Sequence, residues 1–383
     1  MHLSNGETMN ADTQQVQAGT RALQRIDALQ MKHSDVAAAV GMTPDALSRS
    51  LRGQRNFKLV EMAALADHLN TSIHWLVTGE RDPYEVKLSA RHEWDAHSRS
   101  DQAHDWRVAK RVGNDIAAIY HQAQLGPAGN PSSVPMGWTP LQGAQWARQH
   151  LETALAPAEI LADHLPDLIE QVFAIDVFVI DYDTTFDAYS AEANGAKFIV
   201  QKTTGAWWRA VFNIAHELGH ILHNDLAYSD EERTVRADEW WANNFAAELL
   251  LPQAAVRAFD WEGGSVNDLA EFVESHRVST LATANRVNSL GISPNERLTA
   301  ALGWKTPRLM QALHSPFWVA PMDGVYRSPR FPSRVVEAHQ AAVAEGRASG
   351  QTLAWMLGVP VEDVDPAWVA GPSMTAERLH AAL

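Results

Sequence analysis

The sequence predicts a mainly α, α+β chain of more than one domain, and three observations carry that expectation. Its 383 residues exceed what one hydrophobic core usually serves. Helical periodicity dominates both ends, and only two short runs, IDVFVIDYD and AKFIVQ, read as strands. A stretch dense in Gly, Pro and Ser, GPAGNPSSVPMGWTP at 126–140, marks the clearest boundary.

Composition narrows the function classes. The first twenty residues hold no apolar run, so no secretory signal is expected. No uninterrupted apolar stretch reaches the ~18 residues of a membrane span. Cysteine is absent, which excludes disulfides and thiolate metal sites; any zinc must be held by nitrogen and oxygen. A cytoplasmic protein is expected. The net charge of −15 is unevenly placed. Residues 151–300 carry 9 basic and 24 acidic side chains, whereas 1–81 carry 8 of each, and 82–150 and 301–383 carry 7 of each. The acidic block is a poor nucleic-acid surface and a reasonable home for a cation.

The first expected domain, residues 15–82, is all-α. A short helix over about Ser34–Val40 ends at Gly41, whose tolerance of positive φ suits a tight turn. Thr43 then caps a second helix with Pro44 at its first position, where the missing N–H costs nothing. Ala38, Leu47 and Leu51 are spaced to pack the two helices together. This grammar is that of a helix-turn-helix. Asp45, Ser48, Arg49 and Arg52 would then face a DNA major groove, with Thr43 at its edge, and Arg55 and Lys58 would meet phosphate. From Ala46 to Lys58 there are four basic residues and no acid. An ordinary helical bundle would not need that punctuation.

Residues 83–140 are read as a linker with one helix at about 102–124. Residues 141–300 form the next domain: a helix around 158–173, the two strands, then helices after Trp207. IDVFVIDYD alternates apolar with acidic residues, as a half-buried strand does. Residues 301–383 form a helical region of unassigned role, with two amphipathic helices around Gly350, for which packing or partner recognition is favoured over DNA contact. His314, Phe317 and Trp318 read as core there, and the 14 tryptophans as packing residues throughout.

The chemistry concentrates in FNIAHELGHILHND, residues 212–225. On a helix, positions four apart share a face and lie about 6 Å apart along the axis. His216 and His220 therefore offer two imidazoles to one point, as zinc requires. Glu217, next to the first histidine, is placed to face the attacking water as general base. A chance match on a surface helix is the bland alternative. Against it, Phe212, Ile214, Leu218, Ile221 and Leu222 predict a buried helix, in which unpaired histidines would be costly. A third ligand is needed. Glu239, heading the apolar helix RADEWWANNFAAELLLP, leads, with Asn243 four residues on to support a histidine from outside the ligand set. His223 and Asp238 are its rivals; Asp238 points about 100° from Glu239, so both cannot face the metal. His223 and Tyr228 are candidates for lining the cleft or stabilising an oxyanion.

AWWRAVFNIAHELGHILH followed by EWWANNFAAELLLP resembles the core of the ImmA/IrrE family of metallo-endopeptidases. The likeness spans roughly residues 150–300, and tryptophans stand at 240 and 241 where relatives usually carry polar or charged residues. The resemblance implies a zincin-like domain with a small sheet, one Zn²⁺ per chain held by His216, His220 and Glu239, and Glu217 as base. It further implies cleavage of a protein substrate, a partner transcriptional repressor, during stress or mobile-element induction. The N-terminal sixty residues, ending in TSIHWLVTGE, resemble the lambda-repressor-like (XRE) helix-turn-helix family. That family binds double-stranded DNA, usually as a homodimer, here through residues 33–58. The alternative reading is an XRE-type regulator or antitoxin with a toxin partner, in which the metal domain is sensory or non-catalytic.

Overall fold

The computed structural model describes residues 11–69, 71–79, 86–88, 99–129, 133–223, 232–313 and 325–364. They fall into two units that divide between Glu85 and Val86. Tyr228 and the His314, Phe317 and Trp318 cluster lie outside the described residues.

The described residues of the first unit form five helices: α1 (Ala11–Ala28), α2 (His33–Ala39), α3 (Pro44–Leu51), α4 (Leu59–His68) and α5 (Ile73–Thr78). The turn between α2 and α3 has the expected chemistry. Gly41 adopts φ +68, and the Thr43 hydroxyl accepts the Ala46 N–H at 3.2 Å. Leu47 and Leu51 are buried as expected, but Ala38 is exposed. Val36, Ala37 and Val40 take its place, because the short helix turns those three positions toward the core instead. Arg21 closes the unit by donating to the Leu76, Val77 and Thr78 carbonyls, which satisfies the C-terminal carbonyls that α5 leaves unpaired.

The second unit is built on a four-stranded sheet of order β1-β3-β4-β2, with β1 (Val86–Leu88), β2 (Asp176–Ile180), β3 (Ala188–Ala193) and β4 (Ala196–Lys202). β1–β3 and β3–β4 pair antiparallel, and β2–β4 pair parallel. The stretch read as a linker thus supplies an edge strand, and the helix expected at 102–124 runs as α6 (Arg99–Gln122) in the core of this unit. Ile116 and Tyr120 of α6 bury against Phe178, Phe198 and Val200. On the opposite face, Val177, Val179 and Ile199 share a core with α7 (Pro140–Ala154), α8 (Leu165–Phe173), α9 (Trp207–His223) and α10 (Glu232–Leu250). With both faces covered, β2 is buried at all five positions rather than half-buried.

Helices α11 (Gln253–Ala258), α12 (Val266–Ser275), α13 (Thr280–Ser289), α14 (Glu296–Leu302) and α15 (Thr306–Met310) extend the core that holds Val177, Val179 and Ile199. α16 (Ser333–Ala344) and α17 (Gly350–Leu357) lend Val335 and Met356 to the core around α6. The segment before α16 straps the free side of β2. Val179 and Arg330 exchange backbone hydrogen bonds of 2.9 and 2.8 Å, and the Thr204 N–H donates to the Tyr326 carbonyl. The Arg330 guanidinium reaches Glu170 at 2.6 Å and Asp167 at 2.5 Å, and Arg334 grips the buried Asp176 at 2.7 Å. Packing is therefore the role observed for residues 325–357.

His339 on α16 is fully buried. Burial holds its imidazole below the ordinary value, partly offset by the Val335 carbonyl one turn back. The unfolded chain, at about pKa 6.5, takes up this proton before the folded one does. Its contribution to stability is full above that value and is lost as pH falls below it. Thermal midpoints at pH 7 and pH 5 should therefore lie closer together in His339→Leu than in the native chain. An unchanged gap would remove His339 from the acid response.

Candidate metal centre

α9 owes its burial to neighbours on several sides, and residues 214–222 are buried without interruption. At Gly219 an added Cβ would meet the Phe245 ring at 3.0 Å and the Ala242 Cα at 3.3 Å. Glycine here lets α9 and α10 approach backbone to backbone, which brings the carboxylate of Glu239 within reach of both histidines. His223 stacks on Trp241 (4.4 Å between centroids, 19° between planes), and Trp241 stacks in turn on Phe245. The Trp241 indole N–H donates to the Trp138 carbonyl at 3.0 Å.

The three expected ligands converge. His216 Nε2 and His220 Nε2 lie 3.0 Å apart, with Glu239 Oε2 3.3 Å from the first and Oε1 3.5 Å from the second. Donor atoms on a tetrahedral zinc, at bonds of roughly 2.0–2.2 Å, stand about 3.3 Å from one another. Two imidazoles and a carboxylate at these separations fit one Zn²⁺. His216, Glu217 and His220 are all at most 7% exposed, so the centre is shielded on the α9 side. Burial alone would raise the Glu239 carboxyl; hydrogen bonds and charge from His216 and His220 outweigh it and hold the group well below the usual carboxylate range.

The rivals are placed elsewhere. Asp238 is buried outside the converging group, and His223 stacks on Trp241. Among the described residues, His216, His220 and Glu239 are the group whose ligand atoms all lie within 4.8 Å of one another. Asn243 is exposed and sits outside the centre, because the stripe Trp241, Ala242, Phe245 and Ala246 takes the inward face of α10. One contributor escaped the sequence reading. Gly219 could have been found from its place inside the histidine motif.

In the first unit, Asp45, Arg49, Arg52 and Lys58 are exposed and Ser48 is half-buried. Arg49 pairs with Asp45 at 3.2 Å. Arg55, expected at phosphate, instead ties the α3–α4 loop inward. It holds Glu61 through two bonds of 2.7 and 2.8 Å and donates to the Ser50 hydroxyl at 3.0 Å. Among the described residues, no helix is long and apolar enough to cross a membrane.

The small mixed sheet, the α9–α10 pair and the His-His-carboxylate set fit a metallopeptidase-type domain. Residues 171–288 match the peptidase family described as the IrrE N-terminal-like domain, which supports an ImmA/IrrE-like domain in this part of the chain. Comparison with curated proteins gives no match.

Proposed function

We propose that the second unit is a zinc-dependent endopeptidase acting on a partner protein, a transcriptional repressor, and that the first unit binds double-stranded DNA. The observation that carries the enzymatic half is the convergence of His216, His220 and Glu239 beside the buried Glu217. When bound, zinc supplies a Lewis acid for the scissile carbonyl and the attacking water. Glu217 takes the proton from that water and returns it to the leaving nitrogen. The excess of 24 acidic over 9 basic side chains in residues 151–300 favours a basic partner, as DNA-binding proteins are.

The DNA-binding half rests on the Gly41–Thr43–Pro44 turn and on exposed Arg49, Arg52 and Lys58. With 8 basic and 8 acidic residues over 1–81, that unit should bind weakly as a monomer and with strong salt dependence. Pairing into a homodimer would compensate.

The test is metal content by elemental mass spectrometry, with Glu239→Ala alongside. One zinc per chain is expected, with affinity reduced by about 10²-fold or more in the variant. An intact chain that takes up no zinc when supplied with it would sink the enzymatic half and leave the regulator reading.

A further inference from the structure

The turn of α10 that carries Glu239 also presents an aromatic side chain to solvent. Trp241 points inward and is 5% exposed, whereas Trp240, directly after the ligand, is 61% exposed. Among the described residues the Trp240 ring has no aromatic or cationic partner; its carbonyl accepts the Asn244 side-chain N–H at 2.7 Å. Single exposed apolar residues are ordinary on protein surfaces. This one differs in position: it directly follows a carboxylate that faces both histidines, and exposed Asn243 lies on the next turn of the same helix. A polypeptide lying across the metal centre would pass along this edge of α10.

Charge indicates which side chain the ring would meet. Residues 225–239 hold six acids and two arginines, Arg233 and Arg236, within the strongly acidic 151–300 block. An indole face in a negative field favours a cation, and a planar guanidinium stacks on it best. We propose that Trp240 is a specificity-determining residue that receives an arginine side chain of the substrate next to the scissile bond. This rests on the zinc-peptidase reading above and adds the substrate's chemistry to it.

The test uses the zinc-loaded full chain and three N-acetylated amino-acid hydroxamates, of arginine, leucine and glycine, titrated by calorimetry. The arginine compound should bind about tenfold more tightly than the glycine compound, an advantage that shrinks as salt is raised. In Trp240→Ala that advantage should vanish while the affinity of the glycine compound stays the same, and Trp240→Tyr should restore part of it. Equal binding of all three by the native chain overturns the proposal, as does a leucine compound bound as tightly as the arginine one. If not even the glycine compound binds a chain that holds zinc, the peptidase reading falls first and the proposal with it.

Discussion

Replacing Glu217 by Gln is expected to lower turnover of a quenched-fluorescent peptide library by about 10²–10⁴-fold, the range that a positioned general base contributes. Zinc content should not change, because Glu217 lies outside the set of converging ligands. Shape is nearly preserved at a site only 2% exposed, so loss of folding is a poor explanation for lost turnover. The same variant separates the two functional readings. DNA binding should survive it in either case. If a cellular phenotype tracks proteolysis, Glu217→Gln abolishes it. A phenotype that persists in the variant would make the chain a regulator whose metal domain does not cut.

The largest effect on stability is expected at the far end of α10. Arg286 and Glu248 form an ion pair in which the side chains are 9% and 4% exposed. Arg286 also donates to the Leu251 carbonyl at 3.1 Å, and Glu248 accepts the Gln253 N–H. The pair thus fastens α13 to the turn that follows α10. Arg286→Met leaves a buried carboxylate without its counter-charge and should cost about 3–5 kcal/mol. Combining it with Glu248→Leu should recover most of that loss, since apolar replacement of both partners removes the uncompensated charge. Chemical denaturation of the native chain, the single variant and the double variant provides the comparison. A double variant no more stable than the single one would show that the hydrogen bonds to Leu251 and Gln253 matter more than the charges.

The legible parts of this molecule are those where local chemistry and tertiary demand coincide. The turn before α3 follows from Gly41, Thr43 and Pro44, each of which favours its observed conformation without help from distant residues. The histidine pair is legible because helical spacing alone brings His216 and His220 together. Glu239 was harder: its approach depends on how closely two helices pack, and therefore on Gly219. β3 was missed because AYSAEA is poor in β-branched residues. The Asn194–Gly195 dipeptide, which forms its tight turn with φ +49 and +80, was the available signal. β1 offers three residues, too few for any periodicity. Arg55 was misplaced because a basic residue on a DNA-binding unit invites a phosphate, while its actual partner, Glu61, lies in the next helix. Asn243 shows the same limit, since the face that α10 turns inward is set by Trp241 and Phe245.

The strap along β2 bears on how the molecule comes into being. Glu170, Asp176 and the free side of Val179 wait for Arg330 and Arg334, which are synthesised well over a hundred residues later. At about 5–20 residues per second, the nascent chain carries an unfinished sheet for about ten seconds after both histidines have emerged. A chain cut short before Arg330 would lack both guanidinium contacts and the backbone pairing to Val179. The strap lies beyond the stretch that bears the family likeness: a chain limited to residues 171–288 would keep His216, His220 and Glu239 without Glu170, Arg330 and Arg334.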